Sequence, residues 1–220
     1  MKKLMIMAIL TITFLSGCSG ITTRAKIEVN DNVFYSSMHP KIKLEIDKKF
    51  QYIGNAKGLG SASGTDLTTS YGGNMFTFIN SSDHINIKSG IILHKEVIHQ
   101  GYWDSNIYKN YKPKIKSGNL KINNKKYKSI IFVHSLNLYE FADNGYAPIE
   151  KAIFRSIGRI VDPRNKILFH IIYFENILLA NDNLKDSAYV NPSYLNDTQQ
   201  RAINDFITRA DNAFKVIPEE

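Results

Sequence analysis

The sequence predicts an α+β fold, a largely antiparallel, strongly twisted sheet with a C-terminal helix packed on one face. Three observations lead there. Short runs rich in β-branched and aromatic residues recur from residue 33 to residue 174. Two pairs of these runs are separated only by compact turn sequences. Near the C-terminus the apolar period changes from about two to about 3.6.

The elements follow in chain order. Val33-Phe34-Tyr35 is the first strand signal. In Lys41-Ile42-Lys43-Leu44-Glu45-Ile46-Asp47 charged and apolar residues alternate, which gives a strand with one wet face. Phe50–Ile53 continues the sheet, and the Gly-, Ser- and Thr-rich tract 54–74 reads as a flexible loop or a pair of wide turns. Met75–Ile79 and Ile91–Ile98 are strands, and 101–119 is a loop rich in Tyr and Lys. Asn123-Asn124 joins Leu120-Lys121-Ile122 to a strand beginning near Tyr127, because Asn tolerates the positive φ of tight hairpins. Ile130–Leu138 is apolar on both faces apart from His134 and Ser135, as in a central strand. Ala152–Val161 and Lys166–Phe174 form a second hairpin across the turn Asp162-Pro163-Arg164-Asn165. A helix of about 20 residues, capped by Asp197 with Gln200 three residues on, then carries the stripe Ile203, Phe206, Ile207, Ala210, Phe214 and Ile217. Arg201, Asn204, Asp205, Arg209 and Asp211 lie off that stripe, and Pro218 stops the helix.

The first residues carry a different signal. Lys2 and Lys3 precede the apolar run Leu4–Leu15. As a helix that run spans about 18 Å, too short for a hydrocarbon core of about 30 Å. It reads as the core of an export signal. Leu15-Ser16-Gly17-Cys18 follows, and Cys18 is the only cysteine in the chain. This segment resembles the lipobox of bacterial lipoproteins. The resemblance implies diacylglyceryl transfer to the Cys18 thiol, cleavage before Cys18, and a chain held at the membrane by acyl groups such as palmitate. It divides the chain into a signal peptide (1–17), a lipidated tether (18–32) and a single domain (33–220). Residue 19 is Ser rather than Asp. In a Gram-negative cell this implies the outer membrane, facing the periplasm. In a Gram-positive cell it implies the outer face of the plasma membrane. No characterised family is recognised for the remainder.

Composition narrows the partners. The 220 residues carry 28 Lys and Arg against 20 Asp and Glu, a net charge of +8. A basic surface suits anionic lipid, glycan or acidic polymer, and export argues against nucleic acid. One cysteine allows no disulfide within the chain, so stability must come from packing.

Several candidate sites can be weighed. Gly58-Leu59-Gly60-Ser61-Ala62-Ser63-Gly64 lacks the following helix that a phosphate-binding fingerprint needs. His94 and His99 stand five apart, not the four of a zinc-protease helix. His134 and His170 fall inside strands and read as buried, hydrogen-bonded rings, while Glu96, Glu140 and Glu175 read as solvent-facing or ion-paired. There is no Gly-x-Ser-x-Gly elbow. No catalytic residue, metal site or cofactor is therefore assigned. The strongest feature is the basic aromatic stretch 101–128, in which Asp104 is the one acid. Trp103, Tyr108 and Tyr111 with Lys112, Lys114 and Lys116 form the expected binding face, since aromatic faces beside ammonium groups suit sugar rings and headgroups.

The leading expectation is a non-enzymatic envelope lipoprotein whose domain binds a protein partner or an anionic glycan or lipid. The alternatives are an envelope hydrolase assembled from distant residues and a structural component of a surface assembly. A deep pocket where His, Asp, Glu and Ser converge would favour the hydrolase; an aromatic-lysine patch would favour binding.

Overall fold

The structure, a computed structural model, describes residues 26–63, 68–109, 114–179 and 195–218. The export signal and Cys18 lie outside the described residues. One sheet holds β1 (Ile27–Asn30), β2 (Val33–Ser36) and β3 (Ile42–Ile46), with β11 (Phe214–Ile217) added from the end of the chain, in the order β1-β2-β3-β11. The larger sheet contains β4 (Gln51–Ser63), β5 (Thr68–Ser81), β6 (Ile87–Ile98), β7 (Lys116–Ile122), β8 (Lys125–Leu136), β9 (Ile149–Ile160) and β10 (Ile167–Asn176). Its order is β4-β5-β6-β10-β9-β8-β7, and every pairing in both sheets is antiparallel. Two helices are described, α1 (Tyr139–Asp143) and α2 (Asp197–Asp211).

The predicted antiparallel sheet and C-terminal helix are present, but strands dominate more than the α+β expectation implies. The main core lies between the two sheets and α2. Phe34 of β2 stands 5.2 Å from Phe76 and 6.1 Å from Phe169, and Phe206 of α2 stands 5.5 Å from Tyr173. A second cluster occupies the opposite face of the large sheet, where Phe141 of α1 lies 6.3 Å from Phe174. β6 and β10 bury apolar residues on both faces, which explains their nearly continuous hydrophobic runs.

Four expectations need correction. Residues 27–30, read as tether, pair with β2. The tract 54–74, read as loop, forms most of the β4–β5 ladder, which continues to Ser63↔Thr68. Backbone pairing satisfies that ladder regardless of weak side-chain propensity. The helix starts one residue early. Asn196 accepts from the Gln199 amide at 2.9 Å, and Gln199 Oε1 accepts from the Asn196 amide at 2.9 Å, a reciprocal capping box. It ends after 15 residues, so Phe214 and Ile217 belong to β11. There Phe214 is buried and Lys215 exposed, a strand alternation that the helical stripe concealed.

Both predicted turns form. Asn123 and Asn124 have φ of 47° and 57°, the left-handed pair of a tight hairpin. Asp162 accepts from the amides of Arg164 at 3.1 Å and Ile167 at 2.6 Å, and so closes the β9–β10 turn.

Candidate functional site

The basic aromatic stretch does not assemble as expected. Tyr108 is buried; its hydroxyl lies 2.8 Å from Ser156 Oγ and 3.2 Å from His170 Nδ1. Trp103 is half-buried and donates from its indole to the Lys166 carbonyl at 3.2 Å. Lys116 is exposed at the other end of β7 and donates to Asn204 of α2 at 3.4 Å. Lys116 is level with Arg155 through Ile131, whereas Trp103 attaches beyond Ile160. Five residues of strand separate those levels by about 17 Å. Lys114 is half-buried, and Tyr111 and Lys112 lie outside the described residues.

Two other constellations emerge. The first is a buried polar cluster on the large sheet. His94 and His170 are directly paired across β6 and β10. Glu96 shares a strand face with His94, and its Oε1 lies 3.0 Å from His94 Nδ1 and 3.6 Å from His170 Nε2. The other ring nitrogen of His170 lies 3.3 Å from Ser156 Oγ. Two glycines make room. A Cβ on Gly73 would meet His94 Nε2 at 2.8 Å, and one on Gly158 would meet the Tyr108 hydroxyl at 2.6 Å and His170 Nδ1 at 2.9 Å. Burial presses the Glu96 carboxyl upward, but the hydrogen bond from His94 and the two neighbouring imidazoles more than offset this and hold it below its usual range. Burial pushes His170 down to about 4, so the ring is neutral at ordinary pH. A carboxylate beside Nε2 favours the proton there and leaves Nδ1 to accept from Tyr108 or Ser156.

Carboxylate, imidazole and hydroxyl thus converge, the order of parts that activates a serine nucleophile. Access decides against that use in this conformation. Ser156 is 4% exposed, and Tyr108, itself 4% exposed, covers both it and His170. The arrangement ties the 99–109 segment to the sheet. Among the described residues no group of three or more His, Cys, Asp or Glu is placed to hold a metal ion. His134, expected to be buried, is exposed at the end of β8. Glu175 is ion-paired as expected, to Arg209.

The second constellation is an open cleft of about 660 Å³ between the β2–β3 turn and the β7–β8 hairpin. Its cations are Lys41, Lys125 and Arg159, and no Asp or Glu stands among its described lining residues. Each part is positioned locally. The Asn123-Asn124 turn brings Lys125 to the rim. The Arg159 guanidinium lies 5.8 Å over the buried Tyr127 ring, which orients it by cation–π attraction. Lys95 of β6, itself buried, donates to the Met38 carbonyl at 3.2 Å and holds the β2–β3 turn against the large sheet. Burial lowers the Lys95 pKa. Pro218 closes one side; the two residues after it lie outside the described set. Converging ammonium and guanidinium groups suit a phosphate, sulfate or carboxylate group.

Only part of this was visible in the sequence. Lys125 and Tyr127 belong to the basic stretch, and the Asn-Asn turn was recognised. Lys41, Arg159 and Met38 come from distant strands, with no local signal that they share a cleft. No family model, curated protein or solved structure matches the chain.

Proposed function

We propose that this protein is an envelope lipoprotein, anchored through acyl chains on Cys18, whose domain binds an anionic glycan or lipid without chemical turnover. The observation that carries the binding reading is the cleft at which the basic side chains of Lys41, Lys125 and Arg159 meet from three separate segments. The anchoring rests on the lipobox sequence Leu15-Ser16-Gly17-Cys18. No helix among the described residues is long and apolar enough to cross a membrane. Acyl chains on Cys18 would hold the chain there, because two chains give stable attachment at about 0.8 kcal/mol per buried methylene.

The test has two arms. Cells expressing the full chain are fed radioactive palmitate, and label is expected on the wild type and not on Cys18→Ala. The purified full chain is then titrated with a soluble polyphosphate. Exchanging Lys41, Lys125 and Arg159 together for Gln should weaken binding by about tenfold, since each exposed charge contributes a few tenths of a kcal/mol and tenfold is 1.4 kcal/mol. Palmitate on Cys18→Ala would refute the anchor. Equal affinity of the triple variant would refute the cleft.

A further inference from the structure

Part of the basic stretch 101–128 does assemble, around a second pocket. β7 and β8 pair Lys121 directly with Lys126, and Asn119 with Lys128. Strand alternation puts these four side chains on the sheet face away from Tyr127 and Ile122, which join the main core. Lys128 is level with Gly158 of β9, and Gly158 with His170 of β10. An open pocket of about 340 Å³ lies on that face. Ser105 and Ile107 line it from the 99–109 segment, and Asn119, Lys126 and Lys128 from the hairpin. Gly158 and Ile160 of β9 and Asn165 of the β9–β10 turn complete it.

The parts are held in place. The Trp103 amide donates to the Asn165 carbonyl at 2.8 Å, and Asn165 adopts a φ of 54°. Tyr108, next to Ile107, is bound to Ser156 and His170. Gly158 lets that segment approach, since an added Cβ would stand 2.8 Å from Ile107 Cδ1.

The charges point to an anion. Directly opposed residues of a ladder have Cβ atoms about 5 Å apart, and like charges there repel. Lys121 and Lys126 are such a pair, and Lys128 adds a third ammonium group on the diagonal from Lys121. Lys128 Nζ donates to Asn106 Oδ1 at 3.3 Å. The Asn106 amide, and then the charges of Lys109 and Lys128, hold the Asp104 carboxyl below its usual range. Asp104 against Lys109, Lys121, Lys126 and Lys128 leaves these five groups with a net positive charge. An anion with several oxygens would relieve the Lys121–Lys126 repulsion and gain charge-assisted hydrogen bonds.

The pocket is larger than a phosphate ion. Its volume equals that of about eleven waters at about 30 Å³ each. Ile107 and Ile160 offer apolar surface for the C–H face of a ring. The side-chain amides of Asn119 and Asn165 can both donate and accept, as hydroxyl groups require.

We propose that this pocket binds a phosphorylated sugar, with the phosphate among Lys121, Lys126 and Lys128 and the ring over Ile107 and Ile160. The site stands apart from the cleft described above. It lies on the other face of β8, shares only Arg159 with that cleft, and depends neither on it nor on the lipid anchor.

The purified full chain is titrated with glucose 1-phosphate by calorimetry. Saturable heat is expected, together with a change in Trp103 emission, because Trp103 is bonded to Asn165. Glucose and inorganic phosphate should each bind about tenfold more weakly. Lys126→Gln combined with Lys128→Gln should weaken glucose 1-phosphate by about tenfold. Lys43→Gln with Lys88→Gln, which removes the same charge from exposed sites elsewhere, should weaken it by less than about twofold. The Lys126 and Lys128 variant should unfold in urea at or above the wild-type midpoint, because an opposed like-charge pair is gone. Asn165→Gly keeps the positive φ and removes the amide. It should weaken the sugar phosphate and leave inorganic phosphate unchanged. Displacement of glucose 1-phosphate by vesicles carrying a phosphorylated glucosamine glycolipid assigns the sugar to a lipid headgroup; lack of displacement assigns it to a soluble ester. Absence of saturable heat at millimolar glucose 1-phosphate, or wild-type affinity in the Lys126 and Lys128 variant, overturns the site. Inorganic phosphate that binds as tightly as the sugar phosphate overturns the sugar assignment. A loss confined to Lys41→Gln with Lys125→Gln moves the ligand to the other cleft and overturns the second site while leaving the first.

Discussion

His170 sits in a strand interior with its ring enclosed by Glu96, His94, Ser156 and Tyr108. Its pKa falls from 6.5 to about 4 because burial penalises the charged ring more than Glu96 favours it. The consequence for stability has a definite sign. As pH drops below about 6.5, the unfolded chain binds a proton at His170 that the folded chain refuses until about pH 4. Folding therefore loses up to about 1.4 kcal/mol per pH unit across that window. Glu96, held below its usual range, adds loss in the same direction at lower pH. Urea unfolding at pH 7 and pH 5 should show the wild type about 2 kcal/mol less stable at pH 5 from this residue. His170→Gln should flatten the dependence, whatever its effect at pH 7. An unchanged slope in the variant would mean that His170 is open to solvent and already protonated at pH 5. The sequence disclosed that His170 lies in a strand among apolar residues. It could not disclose the ring's neighbours, because His94, Tyr108 and Ser156 come from three other segments.

At the scale of elements, α2 shows how a correct period can still misplace residues. Ile203, Phe206 and Ala210 are buried as the stripe requires. Arg209 lies off the stripe, yet it is not simply solvated. It donates to both Glu175 oxygens, at 2.7 and 2.8 Å, and Glu175 is buried beside the Tyr173 hydroxyl. Helical spacing identifies an apolar face, but a long guanidinium reaches over that face to the sheet beneath. Phe206→Ala should cost about 3–5 kcal/mol for the cavity. Arg209→Ala should cost about 1–3 kcal/mol, because a buried carboxylate is left unpaired while half the guanidinium was already in water. Asn204→Ala on the outer face should cost under about 0.5 kcal/mol. Midpoints of urea unfolding with unchanged slopes provide the comparison, and an Arg209→Ala cost as small as that of Asn204→Ala would show that the ion pair does not pin the helix. The same limit of local reading explains β4 and β5. Their Gly, Ser and Thr content describes side chains, whereas the backbones of β4 and β5 are each other's ladder partners and β6 adds a second neighbour to β5 from Tyr71 onward.

Across the whole molecule, the two sheets share one core instead of forming separate units. Phe34, from the four-stranded sheet, touches rings on β5 and β10 of the seven-stranded one, and Phe50 lies 6.3 Å from Tyr173. The chain closes the arrangement on itself, since β11 follows α2 and pairs with β3 near the other terminus. The sequence could show that strands exist and where they turn. It could not show that the first three strands would leave the main sheet, because pairing partners for short alternating runs are chosen by long-range packing. The cleft was illegible for the same reason, as it opens where the small sheet's turn meets the large sheet's hairpin. A shared core makes unfolding cooperative. Trp103, the single tryptophan, is fixed to the β9–β10 turn of the large sheet, while far-ultraviolet circular dichroism reports strands of both sheets. The two signals should therefore follow one urea transition. Phe34→Ala removes the ring that joins the sheets and should lower stability by about 3–5 kcal/mol, with both signals moving together. An early circular dichroism phase that leaves Trp103 emission unchanged would instead mean that β1, β2, β3 and β11 unfold on their own, and that the ring contacts of Phe34 do not bind the sheets into one cooperative unit.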